Sequence, residues 1–143
     1  MANSKYTQVI DLVASGDLVW PSSQIFGCLV TGATFNPAHK KLSQLGVGTR
    51  ATAQIQGRSL APGGMCLGYP AFFNTVEGGI DYQVILAQEL GHDDPNLLAF
   101  YDTDETGGPL RLDHTGTLVV RPVIAPEPFP EGVPTDSRLW MRL

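Results

Sequence analysis

The sequence predicts an all-β protein: an antiparallel β-sandwich or jelly-roll-like fold with one short N-terminal helix or arm. Three observations predict it. Sixteen Gly and eleven Pro among 143 residues cut the chain into short stretches, and both residues are costly inside a helix. The stretches between them alternate apolar and polar side chains with the period of a half-buried strand. The strand–helix rhythm that builds a parallel sheet is absent. About seven short strands between Gly/Pro turns then indicate a sandwich.

The elements follow in order. Residues 1–15 form the longest stretch free of Gly and Pro, with Tyr6, Val9, Ile10 and Val13 at i, i+3, i+4 and i+7, the spacing of a helix face. Asn3 or Ser4 would cap this helix and Gly16 would end it, so residues 1–16 read as a helix or an arm. A first strand is expected over 24–31. The polar, glycine-bearing stretch 35–49 reads as a long loop with one helical turn at 38–45. Thr52, Gln54 and Gln56 then alternate with Ala51, Ala53 and Ile55. Apolar strands are expected at 65–73, 97–102 and 117–120. Between them Ile80, Tyr82, Val84 and Leu86 share one face, with Asp81 and Gln83 on the other.

Residues 122–134 hold five prolines in thirteen positions. Proline locks φ and removes a donor, so this segment is expected to be extended, polyproline-like and outside the central sheet. It carries Val123, Ile124, Phe129 and Val133, and such a segment suits either a neighbouring molecule or the protein's own sandwich. In the last strand, Leu139, Met141 and Leu143 alternate with Arg138, Trp140 and Arg142.

Composition bounds the function. A chain of 143 residues fits one domain, 1–143. It is 43% hydrophobic, only 16% charged, and carries a net charge of −5, which argues against nucleic acid as a partner because that demands clustered Lys and Arg. No apolar run reaches the ~18–20 residues that span a bilayer, and the N-terminus lacks the order of a signal peptide. A soluble, unprocessed chain without a membrane partner is expected. Cys28 and Cys66 lie in apolar stretches, where free cysteine behaves as a small hydrophobe, so both are expected as buried thiols.

Chemistry leaves few traces. P-loop, HExxH, CxxC and GxSxG patterns are missing. Gly46 to Ala51 matches GxGxxA by letter but follows no buried strand. His39, His92 and His114 lack ligand spacing and read as exposed loop residues. The strongest metal candidates are Asp102, Asp104 and Asp113, with Gly107 between them. Their spacing matches a calcium loop, which needs several carboxylate oxygens around a glycine turn. Against this, position 12 is Asp rather than a bidentate Glu, Pro109 intrudes, and the flanks look like strands. A hairpin whose acids are solvated is the simpler reading. With no activated nucleophile beside a base, no catalytic residue and no cofactor is assigned, and a binding or structural role is favoured over an enzyme.

The order of segments carries a resemblance. A first strand ends in the turn Asn36-Pro37, and a long loop leads to a small-residue segment with Gly57 and the pair Gly63-Gly64. Two apolar strands, 82–88 and 97–102, end in an acidic turn. A glycine-led strand at 116–120 and a terminal strand at 138–143 close the layout. From Val9 onward, apart from 122–134, this resembles small virion structural proteins of tailed bacteriophages. The resemblance implies a non-enzymatic virion protein made in the host cytoplasm. Within that group the composition favours a capsid cement (decoration) protein on the capsid exterior. Its partner would be the major capsid protein, and it would form a homo-oligomer, a dimer or trimer. Charge-poor surfaces suit committed contacts, and aromatics dominate interface energy, so Ile124, Phe129, Val133 and Trp140 are the interface candidates. Two alternatives stand beside it: a tail, collar or head-to-tail adaptor protein, and a calcium- or carbohydrate-binding, or hydrolytic, β-sandwich using the 102–113 loop.

Overall fold

Among the described residues, ten strands and one short helix order the chain, and every strand pairing is antiparallel. The computed structural model describes residues 4–104, 106–122 and 138–143. A five-stranded sheet runs in the order β1 (Ser4–Lys5), β8 (Asp93–Tyr101), β7 (Gln83–Leu90), β2 (Ile25–Val30), β3 (Ala51–Gln54). Facing it are two smaller sheets: β10 (Arg138–Arg142), β5 (Met65–Gly68) and β4 (Ser59–Ala61), then β6 (Ala71–Val76) with β9 (Gly116–Val120). The expected all-β sandwich is the architecture observed.

The main core lies between these layers. Ile25, Leu29, Val84, Leu86 and Leu98 of the large sheet meet Phe73, Leu118, Val120, Trp140 and Met141. Gly27 permits the approach, because a Cβ there would stand 3.2 Å from the Phe73 ring. The chain passes between the two small sheets at Tyr69-Pro70. Proline cannot donate to a ladder, so the single strand expected over 65–73 is two strands, β5 and β6.

The large sheet is buried on both faces, where the sequence pattern suggested one. Cys28, Val30, Ile85, Leu97 and Phe100 form a second cluster on the outer face, covered by Tyr6 and by Phe35, Leu42, Leu45 and Val47. The long loop is therefore a lid of apolar side chains on a polar backbone, with its one helical turn a 3-10 turn over Leu42–Leu45. Strands buried on both faces read as continuous apolar runs, and the run Val84 to Ala87 is one.

The helix, α1 (Gln8–Ala14), is shorter than expected. Ser4 does not cap it: Ser4 and Lys5 pair instead with Phe100 and Ala99 at the edge of β8, and Thr7 takes the cap position. Val9, Leu12 and Val13 pack inward, while Ile10 is 62% exposed, off the expected face. Gly16, at φ +81°, follows the last turn as predicted.

Candidate interaction surface

Each sequence-predicted site residue has a definite place or lies outside the described residues. Ile124, Phe129 and Val133 lie outside them. Trp140 is not a surface anchor: it is fully buried. Between Leu139 and Met141 the β10–β5 register slips by one residue. This β-bulge turns Trp140 inward where strict alternation would have pointed it away from Leu139 and Met141. The Trp140 ring meets Tyr101 edge-on at 5.5 Å, the Tyr101 hydroxyl donates to the Trp140 carbonyl, and Trp140 Nε1 donates to Tyr69 O at 3.1 Å. Its role is to hold the backbone at Tyr69.

The acidic loop is a self-capped turn. Asp104 Oδ1 accepts from Thr106 Oγ1 at 2.6 Å and from the amides of Thr106 and Gly108, both at 2.9 Å. The Thr106 hydroxyl foremost, and these amides with it, hold the Asp104 carboxyl below the usual aspartate range, against the opposing effect of burial. One carboxylate is thereby committed to its own backbone, as Asx turns do. No group of three or more His, Cys, Asp or Glu side chains that would hold a metal occurs among the described residues.

Several other ionisable groups serve the fold. His92 sits in the β7–β8 turn, and the partly exposed Asp94 carboxylate accepts from the Ser43 amide at 3.2 Å and from the Ser43 hydroxyl, tying the 3-10 turn to β8. Cys28 and Cys66 are free and buried as expected. Burial pushes their thiols up to about 11 and about 12, with a Thr49 hydrogen bond and the Lys5 charge respectively opposing. A groove of 660 Å³ between α1 and residues 37–40 has some of its polar groups engaged internally: Gln8 Nε2 donates to Lys40 O and Leu97 O, and Ser15 Oγ to Asp17.

One surface is not accounted for by the fold. β6 alternates cleanly, with Ala71 and Phe73 inward and Phe72 and Asn74 outward. Phe72 is left 56% exposed, opposite Val119 of β9. Beside it opens a groove of 270 Å³ lined by Tyr69, Pro70, Phe72, Arg121 and Arg138. Tyr69 is seated against Gly57, where a Cβ would fall 2.6 Å from the ring and φ is +62°, so only glycine fits. Among the described residues no carboxylate lines the groove, in a chain whose net charge is −5. Tyr, Phe and Arg side by side are the residue types that dominate binding energy.

Sequence reasoning missed this surface because Arg121 and Arg138 lie far in the chain from Tyr69 and Phe72, and the presentation of Tyr69 beside Phe72 depends on the break at Pro70. The one available signal was the alternation in 71–74, hidden inside what read as a single strand. Comparison with protein-family models, with curated proteins and with solved structures finds no match for this chain.

Proposed function

We infer that this chain is a non-enzymatic structural protein of a virus particle, and that it acts as a capsid cement protein on the outer face of the major capsid shell. The observation supporting it best is the Phe72 surface, an exposed aromatic beside a guanidinium-lined groove. Exposed apolar surface rimmed by polar groups marks sites of interaction. The described carboxylates with resolved partners are engaged by their own backbone or neighbours, which favours a contact protein over a catalyst. No described helix is long and apolar enough to cross a membrane, in keeping with a particle component.

Copy number tests this reading. Quantitative mass spectrometry of purified particles is expected to give a simple fraction of the major capsid protein. A ratio of a few copies per particle would move the chain to the neck or tail, and absence from particles would overturn the virion reading.

A further inference from the structure

We propose that the groove between α1 and the turn at residues 37–40 is a self-association site, which takes the same turn of a second copy of this chain about a two-fold axis. The inference goes beyond the cement reading and uses a surface separate from Phe72, so either can fail without the other.

The walls of the groove are set by the fold. The helix wall presents Asp11, Leu12 and Ser15, and the loop wall presents Pro37, Ala38 and Lys40. Backbone ties fix the loop wall: Ala38 N donates to Asn36 Oδ1 at 3.0 Å, Thr7 N to Pro37 O at 3.1 Å, and Gln8 Nε2 to Lys40 O at 2.6 Å. A wall held in this way needs little further ordering when it is bound. Leu12, Pro37 and Ala38 supply apolar surface, and a volume of 660 Å³ is that of a binding cleft rather than of a packing defect.

Charge selects the occupant. Asp11 stands on one wall and Lys40 on the other. They do not pair with each other, and neither side chain has a hydrogen-bond or ion-pair partner among the described residues. A cationic partner would satisfy Asp11 and repel Lys40, and an anionic one would do the reverse. A second copy satisfies both walls, because Asp11 of each copy meets Lys40 of the other and the two-fold axis repeats the pair. Asp17, whose carboxylate accepts from Ser15 Oγ at 2.9 Å, adds an acceptor on the acidic side.

Shape agrees with charge. Two grooves interlock when the 37–40 wall of each copy enters the groove of the other, and Pro37 and Ala38 are exposed for that contact. Ile10, next to Asp11 and largely exposed, has two small exposed neighbours at i−3 and i+4, Thr7 and Ala14. Its outward side chain adds apolar area where the two helices approach the axis, as exposed apolar groups rimmed by polar ones do at contacts. A contact of this size gives weak association.

The test is sedimentation equilibrium of the full chain at neutral pH. The native chain is expected to dimerise with a dissociation constant of about 100 µM, weakened several-fold as salt rises from about 50 to about 500 mM. Asp11→Lys and Lys40→Asp, made singly, each set like charges across the contact and are expected to lower the association constant at least about tenfold. Both side chains are exposed, so melting is expected to stay within about 2 °C of native. Mixed in equal amounts, the two variants carry opposite charges at both contacts and are expected to form a heterodimer near native affinity, although neither associates alone. The double variant is expected to self-associate in the same way. A monomeric native chain overturns the proposal, as do single variants that stay dimeric or a mixture that stays monomeric. A native dimer dispersed by Phe72→Ala and not by the charge reversals would move the contact to the Phe72 surface and overturns it too. If Asp11→Lys disturbs α1, Lys40→Asp carries the single-variant arm, since the Lys40 backbone ties do not involve its side chain. Particle copy number does not enter these readouts.

Discussion

At the scale of single residues, polar side chains do structural work that the sequence pattern does not reveal. Arg58 has no carboxylate partner among the described residues. Its guanidinium instead donates to four backbone carbonyls: Trp20 at 2.8 Å, Ile55 at 2.6 Å, Pro21 at 3.5 Å and Ser23. It thereby ties the strand leading out of β3 to the turn before β2, and burial pulls its pKa below the ordinary arginine value. Removing it strands those carbonyls, and hydrogen bonds to charged donors are the stronger kind. Arg58→Ala is expected to cost about 2–3 kcal/mol, read as a lower urea midpoint with unchanged slope. Asp104 makes a prediction about pH. Its folded pKa lies below the unfolded value, so its contribution is present above the ordinary aspartate range and is lost as pH falls through the folded pKa. Asp104→Asn is therefore expected to flatten the acid limb of a melting-temperature profile below about pH 4. A variant whose acid limb matches the native one would show that the turn does not depend on the charge.

Elements succeed or fail as sequence predictions according to what covers them. Strands with one wet face announce themselves: β3 turns Thr52 and Gln54 outward and Ala51 and Ala53 inward, as its alternation predicts. The large sheet hides its second face because the loop over it carries its apolar residues singly, Phe35, Leu42, Leu45 and Val47, among polar neighbours. No period marks such a loop as a lid. Trp140 was legible as a strand residue, but its direction depends on the one-residue slip in β10, which a period-two count cannot show. The interface candidates drawn from 122–134 rested on composition, whereas the groove beside Phe72 rests on the ends of four strands, β5, β6, β9 and β10, brought together by the fold. Packing between elements yields its own prediction at Gly27. Valine there would press on Phe73 Cζ and Val84 Cγ1, already 3.2 and 3.4 Å from a bare Cβ, at a cost of about 1–3 kcal/mol from overpacking. Gly27→Ala combined with Phe73→Leu is expected to be more stable than the sum of the single changes. Strict additivity in that cycle would mean that the two residues do not share the contact.

For the whole molecule, the two clusters on opposite faces of the large sheet differ in what holds them. The main core joins three sheets and contains both tryptophans, with Trp20 Nε1 donating to Leu67 O at 2.8 Å across the layers. The outer cluster is sealed by one loop, whose ties are a few hydrogen bonds such as Lys41 Nζ to Asn96 Oδ1 at 2.7 Å and Thr7 N to Pro37 O at 3.1 Å. Local opening is drawn from the regions with the fewest buried contacts, so the loop is expected to open without the sandwich separating. The two thiols report on the two regions, because Cys28 lies under the loop and Cys66 in the main core. Both are held protonated by burial and inert until exposed. In native buffer at pH 8, Cys28 is therefore expected to react with a maleimide faster than Cys66, while tryptophan fluorescence stays native. Equal rates for the two thiols, tracking the fluorescence change, would mean that both faces of the large sheet open in one global transition.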